Sequence, residues 1–373
     1  VRFGGRVAGG PAPGAWLSAV AGALLAGLLW TSGAAAQQGG FAGMGGDGAG
    51  FSEVAPGRAF AFPRDHGAHP GFRTEWWYLT ANLQGPDGAD YGLQWTLFRQ
   101  ALSPAPALDG WSAPQVWMAH AAATSADRHV SAERFARAGV GQAGVAILPF
   151  RAWIDDWRLE SLGEDVEAPF APLRVAASGE GFSYALSLAA EGPLVLQGED
   201  GCSGKSEGGT ASYYYSHPFL RAEGWMDFGA GRVPVSGRAW LDREWSSAAL
   251  EAGQAGWDWF ALHLPGGGKG MAAQVRRSDG GRAWRAGTWI AADGTAAPLA
   301  PGEVELTPLA RTRVAGREVP TRWRVAIPSR GLEVEARAVN PKSWMATSVA
   351  YWEGPVRFEG THAGVGYLEM TGY

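Results

Sequence analysis

The sequence predicts an all-β protein in two units, and three observations carry that reading. From residue 74 onward, short apolar or alternating segments recur with turn residues between them, at the length and spacing of strands. The 56 Gly and 23 Pro follow no strict period, so they read as punctuation between strands rather than as a fibrous repeat. Finally, Trp76–Leu83 (WWYLTANL) lines up without a gap against Trp257–Leu264 (WDWFALHL). Each is followed by a Gly-rich turn and a second strand that ends in Arg, Tyr91–Arg99 and Met271–Arg277. A duplicated up-and-down barrel would leave this trace. No window carries a long, well-capped 3.6-residue pattern, and Ser131–Ala138 reads as a short helical turn at most. Barrel and sandwich both fit such a chain.

Residues 62–83 open the first unit. Phe62 to Phe72 holds two Pro, two Gly and two His, an irregular and stiffened approach. Arg73 to Leu83 is rich in aromatic and β-favouring residues and is predicted as a strand. Glu75, Trp77, Leu79, Ala81 and Leu83 share one face; Thr74, Trp76, Tyr78, Thr80 and Asn82 share the other. Neither face resembles an ordinary solvent face. Further strands are expected at Tyr91–Phe98, Val116–Ala123, Ala152–Leu159, Leu173–Ala177, Phe182–Leu188, Leu194–Gln197, Phe219–Trp225 and Val233–Leu241. The second unit continues with Ala283–Ala291, Val304–Pro308, Thr321–Ile327, Leu332–Ala338, Ser343–Trp352 and Tyr367–Thr371. The small-residue stretch Ser246–Gly256 separates the units, giving residues 61–245 and 246–373 as the two domains.

The N-terminus reads as a targeting segment. Arg2 and Arg6 precede the apolar run Ala15–Trp30, and Ala34–Ala36 offers a cleavage site before Gln37. Residues 1–36 are therefore expected to be a signal peptide, with an uncleaved anchor as the alternative, and 37–60 a flexible Gly/Ala-rich leader. The expected destination is the periplasm or the exterior, with no membrane span in the mature chain. Cys202 is the single cysteine, so no internal disulfide can form; in the Gly/Ser-rich stretch Gly198–Gly209 it reads as a free thiol in an exposed loop. Charged residues make up 18 % and the net charge is −5, leaving no basic field for nucleic acid.

Four constellations bear chemistry. In Trp240-Leu241-Asp242-Arg243-Glu244-Trp245, a strand puts Trp240, Asp242 and Glu244 on one face. Two close carboxylates in an apolar cavity repel, so one holds its proton near neutral pH, and a protonated carboxyl beside an aromatic wall can protonate an alkene. The structural alternative is that Arg243 or another Arg pairs with them. Asp65, His66 and His69 could frame a loop; no third metal ligand accompanies the two His, and no metal is expected. Glu75 is either catalytic or paired with Arg73 or Arg99. Tyr213-Tyr214-Tyr215-Ser216-His217-Pro218 either lines a ligand mouth, through Tyr213 and Tyr215, or covers a barrel end. Trp77, Tyr78, Trp240, Trp257 and Asp258 complete the candidate ligand contacts. No serine-nucleophile elbow, Walker motif, dinucleotide fingerprint or H-E-x-x-H pattern is present.

In order along the chain, DHGAHPGFRTEWWYLTANL, YYYSHPFL, WLDREWSS, GWDWFALHL, YWEGPV and GYLEMTGY resemble the motif series of the AttH-like family, related to carotenoid 1,2-hydratase. The resemblance spans about Phe62 to Tyr373. It implies two consecutive lipocalin-like β-barrel domains, a hydrophobic, isoprenoid or lipid-like ligand, and cofactor-free acid–base hydration, or the hydrolysis suggested by the family's label of secreted hydrolases. The hydratase's acid two residues after an aromatic residue maps to Asp242, with Glu244 or Glu75 assisting. Its His-x-Trp element falls by spacing at Tyr213 and Tyr215, so His and Trp are not retained. The alternative is a non-catalytic carrier or accessory protein of the cell envelope.

Overall fold

The computed structural model describes residues 1, 48–104, 110–163, 170, 172–248 and 250–373. The expected signal peptide and most of the leader lie outside them. Among the described residues, twenty-three strands form two antiparallel sheets. The first sheet comprises β1 (Thr74–Gln84), β2 (Asp90–Ala101), β3 (Gln115–Ser125), β4 (His129–Arg137), β5 (Ala143–Ile147), β6 (Phe150–Ile154), β7 (Trp157–Ser161), β8 (Leu173–Gly179), β9 (Phe182–Ala190), β10 (Val195–Leu196), β11 (Cys202–Gly204), β12 (Ala211–Asp227) and β13 (Arg232–Ser246). The second comprises β14 (Gln254–His263), β15 (Lys269–Arg277), β16 (Trp284–Ile290), β17 (Ala296–Leu299), β18 (Glu305–Val314), β19 (Arg317–Ile327), β20 (Leu332–Ala338), β21 (Trp344–Met345), β22 (Tyr351–Gly360) and β23 (Gly364–Met370).

Both sheets follow the same plan. In each, the opening strand pairs with the second on one side and with the last on the other: β2-β1-β13-β12 in the first sheet, β15-β14-β23-β22 in the second. One sheet curls into a nearly closed barrel and the other into a half-barrel, so of the two architectures left open the barrel is the one adopted. Strand β12 changes register between His217 and Leu220. Pro218 lies there and cannot donate to a ladder, so the strand bends, pairing first with β10 and β11 and then with β9.

Three of the expected elements differ. Ser131–Ala138 is not a helical turn, since most of it lies in β4, paired along its length with β3; its Ala, Glu and Arg favour a helix only locally, and the open edge of β3 overrides that preference. Ala152–Leu159 is broken by a turn at Asp155–Asp156, with Asp155 at φ 51°, into β6 and β7. Ser343–Trp352 likewise divides between β21 and β22. Cys202 is free as expected but half-buried, in a short strand rather than an exposed loop.

Parity along β1 separates two environments. Trp77, Leu79, Ala81 and Leu83 point into the first barrel, among Trp95, Leu97 and Trp157. Tyr78 points the other way, into a separate apolar cluster with Trp240, Tyr214, Trp259 and Tyr367. On β14, Phe260 and Leu262 enter the second sheet's core with Trp323, while Trp259 and Ala261 face the first sheet. The sheets therefore press together along their central strands. Asn82 Nδ2 donates to the Gly366 carbonyl at 2.6 Å, Asn340 Nδ2 to the Ser125 carbonyl at 3.0 Å, and Arg357 pairs with Asp90. No helix of the described residues is long and apolar enough to cross a membrane.

Gly92 of β2 sits where the sheets meet. A Cβ there would come within 2.5 Å of the Pro355 ring, which is too stiff to step aside. Gly92→Ala is expected to wedge the sheets apart and to cost about 1–3 kcal/mol, read as a lower midpoint in urea unfolding.

Candidate active site between the sheets

The facing sheets leave a cavity of about 1110 Å³, counting its open mouth. Its walls include Trp76, Phe98, Met118, Trp257, Trp259 and Met271, a lining suited to an apolar molecule. Asp242, Glu244 and Glu369 are the carboxylates that line it.

Strand alternation delivers Asp242. It lies opposite Tyr78 in the β1–β13 ladder and is 2 % exposed. The Trp240 indole N–H donates to its Oδ1 at 2.7 Å, and the Ser216 hydroxyl donates to the same oxygen. No described cation forms an ion pair with it. Burial therefore dominates, and with help from the neighbouring Glu244 it lifts Asp242 to about 7 against the pull of those hydrogen bonds. Glu244, two residues on, pairs with Lys205 at 2.7 Å and accepts from the Ser212 hydroxyl. The structural alternative, pairing with an arginine, is not found among the described residues: Arg243 points to the opposite face, and the cation beside Glu244 is a lysine from the loop after β11.

The second sheet supplies a counterpart. Glu369 lies opposite Trp259 in the β14–β23 ladder, as Asp242 lies opposite Tyr78. Since Trp259 aligns with Tyr78 in the internal repeat, the two acids occupy corresponding places. The Trp257 indole N–H donates to Glu369 at 2.7 Å, yet burial pushes this carboxyl up to about 7 as well. Beside it on β22, Glu353 is fully buried and accepts from the Tyr78 hydroxyl at 2.8 Å and the Tyr351 hydroxyl at 3.3 Å. Burial, then the adjacent Glu369, raise Glu353 well above the usual carboxylate range.

Glu75 has the opposite surroundings. It is fully buried, on the other face of β1, and accepts from Arg99, from Arg243 and from the His69 amide at 2.9 Å. Burial alone would raise it, but Arg243 and then Arg99 outweigh that and hold it well below the ordinary range. The Arg243 guanidinium stacks 3.7 Å above the Trp77 ring. Asp65 accepts from Arg58 at 2.9 Å and from the Ala61 amide at 2.7 Å, and His66 Nδ1 lies 2.7 Å from the Tyr215 hydroxyl. His69 stacks on Trp245 at 3.9 Å. Burial, and then Arg243, push His66 down to about 3. Together these groups lock the loop before β1 against the barrel end.

Of the expected site residues, Tyr78, Trp257, Asp242 and Glu244 border the cavity, and Trp240 braces Asp242 from behind. Glu75 and Trp77 do not, because odd positions of β1 point into the barrel. Tyr213 and Tyr215 do not either: they pack with Trp245, Val54 and Phe60, covering the barrel end, and Tyr214 between them enters the cavity. The described end of the leader is thus seated, with the Ala55 amide 3.0 Å from the Tyr213 hydroxyl. Asp258 faces the second sheet's own core, held by Gln274 at 2.8 Å, Arg276 at 3.1 Å and Tyr373 at 2.8 Å. Lys205, Tyr214, His120, Tyr351, Glu353 and Glu369 were not anticipated. The aromatic-x-acid spacing that marks Asp242 recurs in Tyr351-x-Glu353 and Tyr367-x-Glu369, and that signal would have found both acids. Among the described residues no three His, Cys, Asp or Glu side chains gather as metal ligands would.

Opposite pH signatures follow. Between an unfolded value of 3.8 and a folded value of about 7, the unfolded chain has released the Asp242 proton and the folded chain has not, so this group's contribution to stability is lost as pH rises. Asp242→Asn is expected to gain on the wild type between pH 4 and pH 8, by on the order of 3 kcal/mol. Glu75 has the reverse sign: its contribution is present above its unfolded value of 4.5 and lost as pH falls. Glu75→Gln should cost about 3–5 kcal/mol at neutral pH, shrinking in acid. Urea unfolding across the pH range measures both.

Comparisons with known proteins place the chain in a family. The AttH-like family profile matches residues 53–373. The solved structure of a candidate AttH from Nitrosomonas europaea is 34 % identical, with a TM-score of 0.77, covering 87 % of this chain and 99 % of that one. Kievitone hydratase from Nectria haematococca is 15 % identical, with a TM-score of 0.64 over 86 % of this chain and 96 % of that one, a likeness of fold. No curated protein matches the sequence. With a profile match over nearly all the described residues and a third of positions shared with the Nitrosomonas protein, the chain belongs to the AttH-like family.

Proposed function

We propose that the protein binds a hydrophobic, isoprenoid or lipid-like molecule between its sheets and adds water to it by cofactor-free acid–base chemistry. The observation that carries this reading is Asp242, a buried carboxyl without a cationic partner, lifted to about 7 in an aromatic-walled cavity. Near neutral pH such a group can deliver a proton. The Asp242 proton passes to one carbon of an alkene, and the adjacent carbon becomes a carbocation facing the rings of Trp76, Trp257 and Trp259. Water adds to that carbon, and its surplus proton goes to a carboxylate, Glu369 being the second group near 7. Alkene and water give an alcohol, and proton return from Glu369 to Asp242 restores the acid. Glu244, engaged by Lys205, orients that cation rather than moving the proton. The fold is one that a hydratase also uses. Export to the periplasm or exterior is part of the proposal and rests on Arg2, Arg6 and the apolar run that follows.

The test begins with mass spectrometry of the apolar molecule that co-purifies with the exported protein. Incubating that molecule with the protein in ¹⁸O-water should place the label in a new hydroxyl. Asp242→Asn is expected to retain binding and to slow labelling by about 10²–10⁴-fold. The rate should also fall as pH rises above about 7, when Asp242 loses its proton. A ligand recovered unchanged, indifferent to Asp242→Asn, would make the protein a carrier.

A further inference from the structure

A continuous line of hydrogen-bonding side chains runs from the surface to the acids of the second sheet, and three of its members, His120, Tyr351 and Tyr78, also line the cavity. It starts at Glu133 on β4, whose side chain is 18 % exposed. Glu133 Oε1 lies 3.0 Å from His120 Nε2. His120 Nδ1, across the ring, lies 3.0 Å from the Tyr351 hydroxyl. That hydroxyl reaches Glu353 Oε1 at 3.3 Å, and Glu353 Oε2 accepts from Tyr78 at 2.8 Å. Tyr78 lines the cavity together with Glu369, whose proton affinity it lowers. His120 and Glu353 are 1 % and 0 % exposed, so water does not solvate either freely.

We propose that Glu133, His120, Tyr351, Glu353 and Tyr78 form a proton path linking solvent to the cavity acid Glu369. Every member can both take and give a proton, and the imidazole can carry it on either nitrogen. One arrangement has His120 donating from Nε2 to Glu133 while Nδ1 accepts from Tyr351, and Glu353 donates to Tyr351. In the other, Nδ1 donates to Tyr351, whose own proton points at Glu353. Passing between them moves one proton along the line. For inward transfer, Glu133 takes a proton from water and gives it to Nε2, and Nδ1–H gives one to Tyr351. The Tyr351 hydroxyl releases its own to Glu353, from which it reaches Glu369 through Tyr78. No bond other than those to hydrogen changes, and nothing is oxidised or reduced. The groups facing Glu353 are the hydroxyls of Tyr78, Tyr351, Tyr367 and Tyr184 and the carboxyl of Glu369, with no cation to trap the proton there. Glu133 is also fixed by Ser348, whose amide and hydroxyl donate at 3.1 and 2.6 Å, so the line bridges both sheets. In catalysis, the path would let Glu369 exchange its proton with solvent between turnovers, a role that rests on the hydration proposed above; conduction itself does not.

The experiment therefore uses the ligand-free full chain and no turnover. The infrared C=O band of protonated Glu353 is identified by its loss in Glu353→Gln, and its shift after rapid transfer to D₂O times proton entry. Replacing His120 with Phe preserves a ring between Phe98 and Tyr351 but breaks the path, and should slow the shift by on the order of 10²-fold while leaving the band in place. Glu133→Gln, near the surface and still able to accept from Ser348, should slow it too, which covers the case of a His120 variant that does not fold. Added imidazole should restore the rate in His120→Gly. An unchanged rate in folded Glu133→Gln, or a wild type without the Glu353 band, would overturn the path whether or not Asp242 proves to be an acid catalyst.

Discussion

The opening strands of the two sheets, β1 and β14, are covered on both faces along nearly all their length. The inner faces of β1 and β14 fill the cores of their own sheets, and the outer faces meet each other, so along these strands only the terminal Gln84 is exposed. A polar side chain placed on either face must then find its partners inside the protein or give up its charge. Most of the chemistry of the chain follows from which of these happens at each position.

Glu75 and Asp242 show the two outcomes on neighbouring strands. Glu75 enters the barrel where Arg99 and Arg243 converge, and keeps its charge. Asp242 faces the second sheet with an indole N–H and a hydroxyl as its hydrogen-bond donors, which lower its affinity for the proton less than burial raises it. Arg243 lies between Asp242 and Glu244 in sequence, yet serves neither, because adjacent strand residues point to opposite faces. The repeat then sets a second acid raised by burial, Glu369, at the corresponding place in the second sheet. Two carboxyls with similar proton affinity in one cavity suit a reaction that must both give and take a proton.

Much of the strand order was legible along the chain, because Gly and Pro mark turns and the aromatic strands carry an unmistakable alternation. Ser131–Ala138 shows where that reading fails: its composition suits a helix, and only an edge strand waiting to be paired makes it β4. Parity was legible as well, but not which face would meet what. Trp77 and Tyr78 were equal candidates for the ligand wall until the second sheet arrived against one of them. The Tyr213–Tyr215 run had the same ambiguity, and the structure sends its outer two rings to the barrel end and the middle one to the cavity.

By itself the sequence determined the all-β class, the repeated opening strand, the family motifs and the shared face of Trp240, Asp242 and Glu244, since each depends on local pattern or spacing. Only the tertiary structure decided that the site lies between the sheets rather than inside a barrel. It brought together Tyr78, Asp242, Glu353 and Glu369 from strands separated by up to 291 positions, with Glu369 − Tyr78 the widest span. Proton affinity is set by the partners a carboxyl meets and the water it loses, and neither is written in its immediate neighbours. That is why, of two acids on aromatic strands, Glu75 keeps its charge and Asp242 holds its proton up to about pH 7: one is met by two guanidinium groups and the other by none.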